Sequence, residues 1–356
     1  MTEPMRVLEA ITPSRIGGAE VYVADLCEEF SRLDIDVELF IPSGRPFVKY
    51  AADRGISSIN WKTHGKLDPI TVIRLASLIR SHGIDVIHTH LSTASLLGAF
   101  AAKLAGVPSV AHVHGLNTAT CFKYSTAVIA VSEAVKKHLC AQGLDAGNIH
   151  VVHNGVDLTR FTPIPISEAK RAQGYDENTP VFGVFGRLSE EKGQRSAIEA
   201  MFILSKTCQS ARLMIVGDGK TRDELVRSAQ ALGIAGSIEF KGFNADVRGL
   251  MSACDAIIAP SLKEGFGLAA VEAMALSRPV IAADVGGLPE IIVPGETGFL
   301  VPANNPQQIA DAMEQLISDR SAAESMGRSG RIRVDSCFDL KKQIKAVSSI
   351  LEGCVK

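Results

Sequence analysis

Two carboxylates eight positions apart carry the most specific chemistry in this chain. Glu264 and Glu272 fall in Glu264-Gly-Phe-Gly-Leu-Ala-Ala-Val-Glu-Ala-Met-Ala275, just after a strand-like run at Ala256–Ala259. Gly265 and Gly267 free the backbone before a helix expected over Leu268–Leu276. That helix is apolar on every side except at Glu272, so the reading buries it. A buried carboxylate is costly unless it is hydrogen-bonded. The vicinal hydroxyls of a ribose would supply two donors; backbone N–H groups of the protein are the alternative. Glu264 falls in the loop, where a strand's carboxyl end opens toward a ligand.

Cations come next. In Val181-Phe-Gly-Val-Phe-Gly-Arg-Leu-Ser-Glu-Glu-Lys-Gly193, Arg187 and Lys192 flank a short turn between a strand and a helix. A guanidinium fork and a compact ammonium beside a helix N-terminus make a clamp for a polyphosphate. Surface pairing with Glu190 and Glu191 is the competing reading. Gly17 and Gly18 open another helix after the first strand, where bare N–H groups can approach an anion or simply make a tight turn. Gly217-Asp-Gly-Lys-Thr221 is not a phosphate-binding P-loop, because Met214 stands where the first glycine belongs. Ser189-Glu-Glu-Lys192 matches S-x-x-K but lacks its companion motifs.

All nine histidines lie between residues 64 and 153, and four form the pairs His88-Thr-His90 and His112-Val-His114. Alternate residues of a strand share a face. A four-histidine metal site is conceivable, but no Asp, Glu or Cys is adjacent in sequence. The expectation is no metal site: buried, satisfied imidazoles at His88 and His112, and cleft-lining ones elsewhere. His114, beside Gly115, is read as the best exposed.

These residues sit on a repeated strand–helix pattern. Arg6–Ile11, Val37–Ile41, Val86–His88, Ser109–His112, Val128–Val131 and Ile149–Val152 read as strands, with helices at Ala19–Leu33, Ile70–Ser81, Ala94–Leu104 and Glu133–Ala141. Asp157–Thr179, with two prolines and many polar residues, reads as a linker. A second series follows, with strands from Val181 to Val301 and helices at Gln194–Leu204, Arg222–Leu232, Ala245–Cys254 and Leu268–Leu276. Three more helices are expected at Pro306–Ile317, Ala322–Val334 and Leu340–Leu351. Polar-poor strands alternating with helices predict α/β domains with doubly wound parallel sheets facing a cleft. The domains are placed at 1–160, 161–336 and a closing helix at 337–356.

Composition narrows the field. At 356 residues, 46% of them hydrophobic, the chain can bury two cores. A net charge of −2, with 14 Phe, 4 Tyr and 1 Trp, gives no sign of nucleic-acid binding. Seven scattered cysteines form no C-x-x-C pair, so neither a disulfide framework nor a thiolate zinc site is expected. With no apolar run of membrane-spanning length, a reduced, soluble, cytoplasmic protein is expected. One local excess stands out. Residues 45–80 hold Arg45, Lys49, Arg54, Lys62, Lys66, Arg74 and Arg80 against only Asp53 and Asp68. Such a face suits an anionic membrane or is simply solvated.

The motif around Glu264 and Glu272 resembles the hallmark of family-4 retaining glycosyltransferases of the GT-B fold. Further matches fall in order: Gly17-Gly18-Ala19-Glu20, His112-Val-His-Gly115, Val131-Ser-Glu133, Val152-His-Asn-Gly-Val-Asp157, Phe185–Gly193, Ile215-Val-Gly-Asp-Gly219 and Gly286-Gly-Leu-Pro-Glu290. The resemblance spans roughly residues 6–301. It implies a nucleotide diphosphate sugar as donor and no cofactor; the charge set of Arg187, Lys192, Glu264 and Glu272 with the glycine loops favours a UDP-linked one. Asp34-Ile-Asp36 is the only D-x-D, and it leads into an expected strand instead of following one, so no required metal is indicated. Gly17 and Gly18 would approach the donor diphosphate, and Arg187 and Lys192 would neutralise it as it leaves. Phe266, Gly267 and Leu268 would offer backbone N–H groups to phosphate and sugar. Glu264 would bond the sugar's hydroxyls, Glu272 the ribose, and His114 would touch the sugar; Phe240–Asp246 would hold the base. Attack from the front face, with the donor phosphate helping to take the proton, is implied.

The acceptor would be a saccharide or lipid-linked glycan in bacterial polysaccharide, lipopolysaccharide or glycolipid synthesis, with possible contact to the cytoplasmic face of the inner membrane. The stretch between Gly115 and Val128 is short for the family, so no acceptor is legible there. A GT-B nucleotide-sugar epimerase and a non-catalytic nucleotide-binding module are the alternatives. A phosphorylase would need a pyridoxal phosphate lysine in a recognisable context, which is missing.

Overall fold

A computed structural model describes residues 4–355. The chain divides into two compact units, residues 1–154 with 341–356, and residues 155–340. The sequence reading put these boundaries at 160/161 and 336/337. The difference has a local cause. Val156 N–H donates to the Phe338 carbonyl (2.9 Å) and Leu340 N–H to the Val156 carbonyl (3.2 Å), which ties Val156 and 338–340 into one unit.

The first unit is built on seven parallel strands: β1 (Arg6–Ile11), β2 (Asp36–Pro42), β3 (Ile59–Trp61), β4 (Val86–His90), β5 (Ser109–Val113), β6 (Ala127–Ala130) and β7 (Ile149–Val151), in the order β3-β2-β1-β4-β5-β6-β7. Alternation along β1 sends Leu8 and Ala10 to one face and Glu9 and Ile11 to the other. Leu8 and Ala10 pack with Leu75, Ile79, Leu97 and Ala101 of helices Pro69–His82 and Ser92–Ala105. Ile11 packs with Val23, Ala24 and Cys27 of helix Gly18–Arg32. Full burial of the Leu, Ile and Val side chains among these is worth about 1.5–3 kcal/mol each. β3 and a helix at Pro46–Asp53 are too short to show in the sequence pattern.

The second unit carries β8 (Val181–Phe185), β9 (Arg212–Val216), β10 (Ile238–Gly242), β11 (Ala256–Ala259), β12 (Val280–Ala283) and β13 (Gly298–Val301), in the order β10-β9-β8-β11-β12-β13, all parallel. Helices Gln194–Leu204 and Pro306–Ser318 supply Ile198, Met201, Ile309 and Met313 to its core.

Two expectations are corrected. The stretch read as a linker holds a helix, Ile166–Ala172, anchored by a buried lysine. Lys170 Nζ reaches Asp255 (2.8 Å) and the carbonyls of Glu177 (3.2 Å) and Thr179 (2.8 Å). The helix expected over Ala245–Cys254 is only Arg248–Ser252. Asn244 and Asp246 spend their side chains on a turn, accepting from Asp246 N–H (2.9 Å) and Arg248 N–H (3.2 Å).

Candidate active site

In the second unit β8 lies between β9 and β11, so strand order reverses there, the place where open α/β sheets take ligands. The loops after β8 and β11 hold the predicted charges. They are joined through backbone: Leu262 and Lys263 N–H groups both donate to the Glu191 carbonyl, at 2.8 and 3.1 Å. Across this seam Lys192 Nζ meets Glu264 Oε2 at 2.5 Å. Ser261 Oγ donates to the same oxygen at 3.0 Å. Both bonds end on Oε2; among the described residues Oε1 has no partner and can accept from an incoming hydroxyl. Ser261, buried and three residues from Glu264, escaped the sequence reading, which offered no signal beyond its place after a strand.

Arg187 is not drawn into this pair. It reaches Glu191 at 3.4 Å with 41% and 57% of the two side chains exposed, a contact worth little and easily exchanged for a phosphate. The carbonyl of Arg187 accepts from Gln194 Nε2 at 2.8 Å, which fixes the loop while leaving the guanidinium outside.

Glu264 is held from the far side as well. Gly286, in the loop after β12, has φ +56°, and a Cβ there would lie 1.8 Å from the Glu264 carbonyl oxygen. Only glycine permits that approach. Helix Leu268–Ala275 then starts from Gly267, whose φ is +114°, beside the buried Phe266. Glu272 is not buried as expected. It is half-exposed, with Leu268 and Ala269, on the one stripe of the helix left uncovered, while Ala270, Val271, Ala273 and Met274 are buried.

The first unit holds the histidines. His88, His90 and His112 are fully buried, and His114 is half-buried. His90 is thus not cleft-lining. Glu9, from the neighbouring β1, stands among them: its Oε1 is 2.8 Å from His88 Nδ1 and its Oε2 is 2.7 Å from His90 Nε2. His90 Nδ1 and His114 Nε2 are 2.9 Å apart. The expectation of satisfied imidazoles fails for His112, where both ring nitrogens are buried without a partner; His88 Nε2 and His114 Nδ1 are likewise unpartnered. Burial drives the imidazoles toward neutrality: His90 and His112 lie well below the usual histidine range, and His114 is pushed down to about 3. Burial raises the Glu9 carboxyl, against the pull of His88. An acidic residue inside the apolar run Val7–Ile11 was the available signal for Glu9.

Gly17 and Gly18 lie at the start of helix Gly18–Arg32, but the Gly17 N–H is already bonded to Glu20 Oε2 at 2.9 Å and is not bare.

Residues 165–333 match the family model for glycosyl transferases group 1, and residues 16–160 that for glycosyltransferase family 4. Alpha-maltose-1-phosphate synthase of Mycolicibacterium smegmatis is 28% identical over 361 residues, covering 90% of this chain and 91% of that one. The Escherichia coli UDP-Gal:alpha-D-GlcNAc-diphosphoundecaprenol alpha-1,3-galactosyltransferase is 27% identical, covering 91% of each. The crystal structure of Anabaena Alr3699/HepE in complex with UDP-glucose matches with a TM-score of 0.88 at 26% identity, over 98% of this chain and 100% of that chain. Two all-parallel sheets, the charged loops at the β8/β11 reversal and these matches lead to one conclusion: the chain belongs to the group 1 and family 4 glycosyltransferases and has the GT-B fold.

Proposed function

We propose that the chain is a retaining glycosyltransferase that moves a sugar from a nucleotide diphosphate sugar, UDP-linked, to a hydroxyl of a saccharide or lipid-linked glycan. The observation that carries this reading is Glu264, held by Lys192 and Ser261 at the sheet reversal, with half-open Glu272 on the next helix. Support comes from the relative solved with UDP-glucose and from the relative named for UDP-Gal.

In this reading the bond between the anomeric carbon and the diphosphate breaks first, with positive charge growing on the sugar. Arg187, Lys192 and the N–H groups of Phe266, Gly267 and Leu268 stabilise the leaving diphosphate, without a metal at that place. Glu264 Oε1 accepts from the sugar's hydroxyls, and Glu272 accepts from the ribose. The acceptor oxygen then bonds the anomeric carbon from the same face, and its proton passes to a donor phosphate oxygen. His114, whose neutral ring turns Nε2 toward His90, is the candidate for a contact to the sugar. The loop after β10, with exposed Phe243, is the candidate for the base.

The acceptor is assigned to the first unit, and lipid contact to its basic face. Arg54 leaves that face: it is bound to Asp25 (2.7 Å) and Glu28 (2.8 Å). Lys62, Lys66 and Arg74 stay exposed, and beside them Leu67, Ile70 and Ile73 are 85%, 63% and 61% exposed. Among the described residues no helix is long and apolar enough to cross a membrane. Peripheral attachment at the cytoplasmic face of the inner membrane, in polysaccharide, lipopolysaccharide or glycolipid synthesis, fits this arrangement.

Thermal unfolding with UDP, GDP, ADP and their sugars tests the donor. A ligand at 100 times its Kd stabilises by about 2.7 kcal/mol. UDP and a UDP-sugar are expected to raise Tm, and transfer is expected to survive EDTA. Equal, negligible shifts with every nucleotide would sink the donor assignment. Release of a free epimer from the donor would instead point to an epimerase.

A further inference from the structure

The imidazole cluster of the first unit has no task in the transfer reaction beyond His114, and it is expensive. Four buried ring nitrogens lack a hydrogen-bond partner: His88 Nε2, both nitrogens of His112 and His114 Nδ1. An unsatisfied buried polar atom forfeits its hydration without compensation and destabilises the fold. Such a concentration in one place calls for an occupant.

We propose that His88, His90 and His112, backed by Glu9, form a buried binding site for a zinc-class divalent metal ion. Each of these three histidines offers a ring nitrogen within 4.8 Å of those of the other two. A tetrahedral zinc ion with Zn–N near 2.0–2.1 Å separates its ligands by roughly 3.4 Å. Binding therefore draws the rings together by about an ångström, within the reach of side-chain rotations. Imidazole nitrogen is the donor type that zinc and its neighbours prefer.

The arrangement behind the rings is the stronger argument. A metal-bound histidine donates its other N–H to a carboxylate or carbonyl, which fixes the tautomer and aims the free lone pair at the metal. Glu9 Oε1 lies 2.8 Å from His88 Nδ1 and Oε2 2.7 Å from His90 Nε2, so as a carboxylate, the form a bound cation favours, it would accept from both rings together. The protons on those nitrogens leave His88 Nε2 and His90 Nδ1 as lone pairs. His88 Nε2 is one of the unpartnered atoms. The lone pair of His90 Nδ1 faces His114 Nε2 at 2.9 Å, which puts a fourth imidazole on the exposed side. Tyr22 closes the cluster from helix Gly18–Arg32, with its ring 5.1 Å from that of His112. The ion would cross-link β1, β4 and β5 near their carboxyl ends and hold His114 in place. It is a structural ion, enclosed by the fold and slow to exchange, so brief chelation leaves it bound.

The test uses the untagged full-length chain produced in zinc-supplemented medium, washed with EDTA and desalted. Metal content is read by mass spectrometry. Cobalt-grown protein is read by visible absorption and X-ray absorption fine structure. Expected are one ion per chain, the d–d bands of a four-coordinate site, and a shell of imidazole nitrogens. Glu9→Gln is expected to weaken the site about 10- to 100-fold in chelator competition. The double variant His88→Ala, His112→Ala is expected to lose the ion. Wild-type protein without stoichiometric metal overturns the proposal. So does a full complement retained by the folded double variant, or a shell of sulfur or of oxygen alone. The wild-type spectra decide the matter even if the variants fail to fold.

Discussion

Lys192 Nζ and Glu264 Oε2 lie 2.5 Å apart although 72 residues separate them in the chain. The pair joins the loops after β8 and β11 and places one positive and one negative charge at the sheet reversal. The proposed mechanism gives each a separate role, the cation toward the diphosphate and the carboxylate toward the sugar. While no donor is bound they neutralise each other. A donor phosphate competes with Glu264 for the ammonium, so binding would loosen the pair and release Glu264 to the sugar.

Lys192→Met is expected to lower kcat about 100- to 1000-fold, the range for removing one group that stabilises developing negative charge. Glu264→Gln combined with it is expected to cost less than the product of the two single losses, because contacting residues couple. Steady-state transfer by both single variants and the double variant checks this. Strictly multiplicative losses would show that the two act independently.

Glu272→Gln and Glu264→Gln are expected to fail differently. The ribose is the same in ground and transition states, so losing one charged hydrogen bond at Glu272 costs about 1.5–3 kcal/mol of binding. That is roughly a 10- to 150-fold loss of nucleotide affinity, with kcat changing less than KM. In the proposed mechanism Glu264 acts where positive charge grows, so Glu264→Gln is expected to reduce kcat more than it weakens binding of the bare nucleotide. Calorimetry beside steady-state kinetics separates them. Affinity lost at Glu264 and kept at Glu272 would reverse the assignments.

Gly286→Ala would place a methyl group 1.8 Å from the Glu264 carbonyl oxygen, so the loop carrying Glu264 must move. Gly295 is the control: its φ is +78°, yet nothing lies within 4 Å of its missing Cβ. Both variants bear the strain of a positive φ, about 1–3 kcal/mol. Gly286→Ala alone is expected to lose transfer as well as stability. Equal activity in the two variants, measured beside their Tm values, would show that the contact does not position Glu264.

The strand–helix alternation was legible because parallel strands buried on both faces leave continuous apolar runs, and the charges of the site sit where those runs stop. Arg187, Lys192 and Glu264 can be named on that ground, and Glu272 as the one polar residue of an apolar helix. What escaped was what folding brings from a distance. Glu9 reaches His88 across 79 positions and His90 across 81, and nothing in the local sequence pairs them. The apolar sequence of its helix predicts a buried Glu272, but the fold leaves Leu268, Ala269 and Glu272 only partly covered. Lys170 looked like linker polarity, whereas its three acceptors come from Glu177, Thr179 and Asp255.

Asp68 caps helix Pro69–His82, accepting from His64 N–H (2.8 Å), Thr71 N–H (3.1 Å) and Thr71 Oγ (2.8 Å). Burial raises its carboxyl, but those donors outweigh burial and hold it below the usual value. Because the folded value is depressed, the stabilisation is present above the unfolded value of about 3.9 and is lost as pH falls through the folded one. Asp68→Ala is expected to cost about 1 kcal/mol or more at neutral pH. It is also expected to flatten the acid limb of the stability profile, read by urea unfolding from pH 7 downward. An unchanged acid limb would remove Asp68 as its source.

The helix that Asp68 caps also presents the lipid-facing candidate. Ile70 and Ile73 are three residues apart on one face, Leu67 precedes them, and Lys62, Lys66 and Arg74 stay exposed nearby. The Arg74 guanidinium rests over the Trp61 ring at 4.7 Å, which keeps its charge at the surface. Three cations near an anionic leaflet contribute about 1 kcal/mol each, roughly a 150-fold gain in binding at about 1.4 kcal/mol per decade. That part should fade at high salt, since a Debye length of about 10 Å at 0.1 M shrinks to about 3 Å at 1 M. Flotation with vesicles of anionic and of neutral lipid, each at low and high salt, separates the contributions. Lys62→Glu with Lys66→Glu is expected to abolish the salt-sensitive binding, while Ile70→Ser with Ile73→Ser is expected to weaken the residue that persists in salt. If the wild-type chain does not float with anionic vesicles at low salt, the basic face is a solvated surface and the acceptor reaches the enzyme without the membrane.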